Sequence, residues 1–221
     1  MLQLFVNAEG GLTTAGYVLS GALMALFLLA GLALSGGKET RGMSARHLAY
    51  CAMAEALAYV TSFIKPFDEM PYGGSVTLLS MLFIVLIGYW YGVRTGVLVG
   101  LAYGVLQFLQ EPYFLTLFQV CCDYVFAFAA LGISGLFRGK KNGLVIGYIA
   151  AVLARGFFHS LGGYLYWMDY MPENFPQSLK AVYPIVYNYS YLLAEGIITV
   201  IVLKVPAVSK ALERVSRSAV R

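Results

Sequence analysis

Charge is what this 221-residue chain has least of: Asp, Glu, Lys and Arg together make up 12% of it, against 60% hydrophobic residues. A soluble domain carries about a quarter of its residues as charges, so the composition excludes one and places the chain in a bilayer. Cysteine is sparse too, with 3 copies, and histidine has 2. Cys51, Cys121 and Cys122 lie in apolar segments without metal-type spacing or a neighbouring histidine. They read as small core residues, not as zinc ligands or a disulfide framework. No Gly-rich loop ends in Gly-Lys-Ser/Thr; the nearest fragment, Arg138-Gly139-Lys140-Lys141, lacks the loop glycine and the hydroxyl. The chain therefore does not hydrolyse ATP by that route, and active transport would draw on a partner or an ion gradient. His-Glu-x-x-His and Gly-x-Ser-x-Gly are absent as well, which leaves little support for an enzyme.

Long apolar runs are present in number. The first, residues 12–36, is long enough to span a hydrocarbon layer of about 30 Å. Only Glu9 precedes it as a charge, so it lacks the basic leader of a secretory signal and reads as a retained helix. Further spans are expected at 46–64, 75–92, 93–110, 113–137, 142–168 and 183–205. The fold class is thus all-α, a polytopic membrane helix bundle. Its division is an extra N-terminal helix at 1–40, a six-helix domain at 41–207 and a basic tail at 208–221. Lys and Arg collect in alternate connections, at Lys38, Arg41, Arg46, Arg94, Arg138, Lys140, Lys141, Lys204 and the tail, against Lys65 and Lys180 on the other side. The positive-inside rule then puts the N-terminus outside and the C-terminus in the cytoplasm. The net charge of +4 follows from this topology signal and implies no nucleic-acid partner. The outer connections, 65–74 and 168–182, carry four prolines and several acids, and read either as lids or as plain connectors.

Within the spans, Arg155, His159, Gly163 and Trp167 fall four apart and form one drifting helical stripe. Polar groups on such a stripe face a protein interior, not lipid. Counting down each helix brings Asp123, His159 and Asn188 to similar heights in the outer half, with Trp167 near the surface. An ionised Asp123 suits a cation, Asn188 offers a donor and an acceptor, and Tyr113, Tyr124, Tyr183 and Trp167 offer ring faces. Gly163 leaves either a slot for a flat ligand or room for close helix packing. Arg155 and Glu195 lie deeper and are expected to pair as a structural floor. Gly92, Gly96, Gly100 and Gly104 form a small-residue ladder whose expected role is packing. Ala52 and Ala56, flanked by Ala54 and Ala58, give a second smooth strip, suited to internal packing or to docking another membrane protein.

From Arg46 to about Lys204 the order and spacing of motifs resemble the thiamine-specific substrate-binding subunits of energy-coupling factor transporters, the ThiT family. The residues that carry the resemblance are Tyr72-Gly73-Gly74-Ser75-Val76-Thr77, the ladder Gly92 to Gly104, Asp123-Tyr124, Leu131 to Arg138, His159 to Trp167 and Tyr183 to Asn188. The resemblance implies a six-helix vitamin-binding subunit that takes thiamine from outside, needs no cofactor, and docks on a membrane coupling subunit served by two cytoplasmic ATPases. It implies that His159 and Trp167 sandwich the pyrimidine with Gly163 between them, and that Asp123 faces the thiazolium, with Tyr113 and Tyr124 beside it. Tyr183 and Asn188 would supply polar contacts, and Ala52 and Ala56 would form the docking strip. Two departures, Asp123 where the family usually has Glu and Gly74 where a lid Trp occurs, keep a related vitamin or a thiamine precursor open as the ligand. A solitary small-solute transporter, and an intramembrane enzyme using His159 and Asp123 as acid and base, are the readings from other classes.

Overall fold

A computed structural model describes residues 44–220, together with residues 4, 13–16 and 18. The expected helix at 12–36 falls almost wholly outside the described residues. The rest of the chain is a helical bundle. α1 spans Ala45–Ser62, α2 Ser80–Tyr91 and α3 Val93–Gln110. α4 is the continuous helical segment Leu117–Phe137, α5 is Gly143–Tyr170 and α6 is Gln177–Lys204. A separate helix, α7, covers Pro206–Val220. Among the described residues, α3 to α6 are each long and apolar enough to cross a membrane. This is a multi-pass membrane protein.

α2 is the axis of the bundle. Met81, Leu82, Ile84, Val85, Leu86 and Ile87 are all buried, so the helix is covered on every side. That explains why its sequence is apolar without a periodic polar face. It is also shorter than the expected span of 75–92: twelve residues rise only about 18 Å, well below the bilayer core. Residues before it are held otherwise, with Val76 N–H donating to Phe67 O at 2.9 Å in an isolated antiparallel bridge. Leu79, with φ of 62°, offers the helix no side-chain cap.

The missing cap comes from α6. Glu195 accepts from the Thr77 hydroxyl at 2.6 Å, the Met81 amide at 3.2 Å and the Ser80 hydroxyl at 3.5 Å. A carboxylate there satisfies an orphan donor and complements the positive end of the helix dipole. The expected Arg155–Glu195 floor is therefore not formed. No ion pair joins them, because the carboxylate is committed to the start of α2 and Arg155 turns to His159 and Phe128.

The glycine ladder packs, with one exception. A Cβ at Gly96 would stand 2.8 Å from Gly132 Cα, and Cβ atoms on Gly100 and Gly104 would meet the backbones of Phe128 and Tyr124. These three let α3 cross α4 almost backbone to backbone. Gly92 has nothing within 4 Å and a φ of 97°; it serves the turn between α2 and α3 instead. On α1 the alanines divide: Ala54 and Ala58 are buried, whereas Ala52 and Ala56 are exposed beside Met53, Leu57 and Val60.

Candidate functional site

One cavity of about 480 Å³ lies between α4, α5 and α6, with Gln107 of α3 adding to its wall. Of the residues singled out from sequence, Asp123, Tyr124, His159, Gly163, Trp167, Tyr183 and Asn188 line it. Tyr113 stands just outside: its ring lies 4.7 Å from that of Trp167 and its hydroxyl donates to Tyr170 Oη at 3.3 Å. It backs the indole rather than lining the void.

The helices that carry Asp123 and Trp167 are both locally wound as π-helix, over Cys121–Phe126 in α4 and Gly163–Trp167 in α5. In a regular α-helix, four-residue spacing overshoots a turn by about 40°, so Trp167 would drift off the His159 face. A wider π turn takes up that drift and returns the indole to the cavity.

Asp123 is the hub. Its Oδ2 accepts from Gln119 Nε2 at 2.8 Å and from Trp167 Nε1 at 3.2 Å, and its Oδ1 lies 3.4 Å from His159 Nδ1. The histidine tautomer follows from its other nitrogen. Arg155 Nε donates to His159 Nε2 at 3.2 Å, and an arginine nitrogen only donates, so Nε2 carries the lone pair and Nδ1 the proton. His159 is thereby neutral and donates to Asp123. The Arg155 guanidinium also lies 4.2 Å over the Phe128 ring, which fixes it as the floor beneath the imidazole. One carboxylate thus orients both the imidazole and the indole, while its side chain stays 14% exposed toward the cavity.

On α6, Asn188 has half of its hydrogen-bonding capacity taken up. Its Nδ2 donates to Pro184 O at 2.8 Å and its Oδ1 accepts from the Tyr191 hydroxyl at 2.8 Å, which leaves one amide hydrogen and one oxygen lone pair for a ligand. Tyr183 is buried against Phe175 and Tyr187. Tyr124 donates its hydroxyl to Glu111 O at 2.7 Å and presents ring alone to the cavity. Gly163 is a packing glycine as well as a lining one, since a Cβ there would come within 2.7 Å of Pro184.

The connection between α1 and α2 closes the top. Gly73 and Gly74, with φ of 100° and 80°, lie against the rings of Tyr187 and Tyr191, and Tyr72 packs edge-on to Phe175 at 4.9 Å while lining the cavity. Positive φ and the absence of Cβ are both needed for that approach. Lys65 ties the same connection to Glu111 at 2.7 Å. Of the two readings of this segment, the geometry is that of a cover.

Several participants escaped the reading from sequence. Gln119 sits one turn before Asp123, wholly buried and holding it. Gly162 lets α5 pass the carboxylate, since a Cβ there would stand 2.9 Å from Asp123 Oδ1. Tyr187 and Tyr191 continue from Tyr183 at four-residue spacing and end at Glu195, the same kind of stripe as on α5. That periodicity was available to be read.

Known proteins carry the same arrangement of chain. Residues 48–213 match the family described as thiamine transporter protein. The thiamine transporter ThiT of Bacillus subtilis (strain 168) is 34% identical over 172 residues, 69% of this chain and 85% of that one. A solved structure of ThiT from Listeria monocytogenes aligns with a TM-score of 0.59 at 27% identity, covering 73% of this chain and 94% of that chain. These relatives are transporters, not enzymes. Because the matched span runs from α1 into α7 and holds every helix that lines the cavity, the chain belongs to the thiamine transporter family.

Proposed function

We propose that this chain is the thiamine-binding membrane subunit of an energy-coupling factor transporter. The observation that carries the reading is the Asp123 hub, which holds an imidazole and an indole around a cavity between α4, α5 and α6. Thiamine has a flat aminopyrimidine and a cationic thiazolium. The two rings suit the first by stacking, and the carboxylate suits the second by charge. The amide hydrogen left on Asn188 and the hydroxyl-bearing rings around it serve the polar periphery of the ligand. Isothermal titration of the purified protein with thiamine, pyridoxamine and riboflavin tests the assignment. Heat with thiamine alone is the expected result, and a response to another vitamin with none to thiamine overturns it.

Delivery needs partners. The chain sits with its C-terminus in the cytoplasm, takes the vitamin from outside and passes it on after docking to a membrane coupling subunit driven by two ATPases. The docking surface is the strip of Ala52 and Ala56, supported by their exposure on α1 while Ala54 and Ala58 face the core. A helix meeting these alanines would pack closely, and two indoles would hold it off. Ala52→Trp with Ala56→Trp is expected to leave thiamine binding within about twofold, because α1 lines none of the cavity, and to reduce uptake by the assembled transporter about tenfold. Uptake at the wild-type rate would remove this strip from the interface.

A further inference from the structure

Beyond the last span the chain does not trail away. α7 is amphipathic: Val208, Leu212, Val215 and Ala219 share one face, and Lys210, Arg214 and Arg217 share the opposite one. It folds back beneath the bundle, at the end where α2 finishes. There the Tyr91 hydroxyl donates to Ala219 O at 3.0 Å, and Tyr91 itself is stacked on His47 at 3.7 Å. Ala219 is 5% exposed, Leu212 packs on the core and Val208 is half-buried, so on this face Val215 alone, 39% exposed, is left open. The bundle thus covers most of the apolar face and leaves its Val215 edge open.

The charge around this edge is of one sign. Among the described residues, the helix ends and connections at this end carry Arg46, Arg94, Arg138, Lys140, Lys141 and Lys204 and no acid. On α7 itself the single acid, Glu213, lies 3.7 Å from Arg217. A topology signal needs basic residues in short connections, but it needs neither an amphipathic helix nor a latch that folds the helix back. An apolar face seated on protein with one edge open, and long basic side chains able to snorkel past that edge, is the form of a helix lying in the boundary between acyl chains and headgroups.

We propose that α7 is a membrane-surface helix whose Lys210, Arg214 and Arg217 bind the phosphodiester headgroups of anionic phospholipids, with Val215 seated in the acyl boundary. The surface is independent of which ligand the cavity takes. Seating it on anionic lipid shields the backbone of α7 from proteolysis in proportion to the seated population.

The test uses the full chain in nanodiscs of phosphatidylcholine, with or without phosphatidylglycerol, digested by a glutamate-specific protease at a salt concentration of about 0.15 M. The product cut after Glu213 is followed by mass. Each basic residue near an anionic surface is worth roughly fivefold in partition before screening, so phosphatidylglycerol is expected to slow this cut at least about tenfold. In Lys210→Gln/Arg214→Gln/Arg217→Gln, which keeps good helix formers and the Glu213 site, the cut should run at the phosphatidylcholine rate in both membranes. The control Arg138→Gln/Lys140→Gln/Lys141→Gln should retain the slowing. Equal rates for the wild-type chain in the two membranes, or slowing that survives in the first variant or disappears in the control, overturns the proposal. So does protection that appears only when the coupling and ATPase subunits are added, which would make the partner a protein.

Discussion

Replacing Asp123 by Ala is expected to lower the affinity of the purified protein for thiamine by about a thousandfold. Three donors, Gln119 Nε2, His159 Nδ1 and Trp167 Nε1, converge on that carboxylate from within 3.4 Å. Removing it leaves them facing one another in a low-dielectric site. A buried donor left without its acceptor costs about 1–3 kcal/mol, so leaving three of them unpaired and removing the charge that faces the ligand amounts to about 4 kcal/mol, a thousandfold in Kd. The loss falls on binding because the unmoored groups are the two ring faces that hold the ligand. Asp123→Asn separates scaffold from charge. The amide keeps the shape but turns one acceptor into a fourth donor, so a neutral pyrimidine analogue also weakens. Thiamine is expected to weaken about tenfold further, that being the value of one partly screened charge contact. Titration of both ligands against both variants decides it. A loss under tenfold for Asp123→Ala would remove the hub from the account, and equal losses for the two ligands in Asp123→Asn would remove the charge.

Much of this site was legible before any coordinates, because four-residue spacing in a helix and the cost of a polar group in hydrocarbon are local facts. Arg155, His159, Gly163 and Trp167 announce a shared face by themselves. The division of labour between Arg155 and Glu195 was not legible in the same way. Two opposite charges at similar depth suggest a pair, but the competition for Glu195 comes from the unsatisfied start of α2, and that need arises from Leu79 taking a left-handed turn. Nothing in a Leu foretells it. The π turns at Asp123 and Gly163 are hidden for a similar reason: they are set by how α4, α5 and α6 pack, not by a propensity of Cys121–Phe126 or Gly163–Trp167. Asp123 as the organiser of both rings, and not merely a counter-charge, depends on distances between helices that periodicity cannot supply.

The glycine ladder shows how residues that look alike in sequence separate once the helices cross, and it carries the second large effect. Gly104→Val is expected to abolish the folded protein in membranes, while Gly92→Ala leaves it folded and binding thiamine. A Cβ at Gly104 would run into the carbonyl of Tyr124 and stand 3.2 Å from Phe128 Cβ, so backbone meets backbone and no rotamer change relieves it. Overpacking a core already costs about 1–3 kcal/mol where side chains can give way. Here α3 must move off α4 as a body, and the segment displaced is the one that carries Asp123 and Tyr124. At Gly92 the surroundings are empty, and the penalty is that of an L-residue at a φ of 97°, about 1–3 kcal/mol. Gly104→Ala should fall between the two and appear first as weakened thiamine binding, because the helix it displaces is part of the site. Monodisperse yield after membrane extraction, followed by titration, ranks the three. If Gly92→Ala proves the most damaging, the close crossing of α3 and α4 is not what holds Asp123 in place.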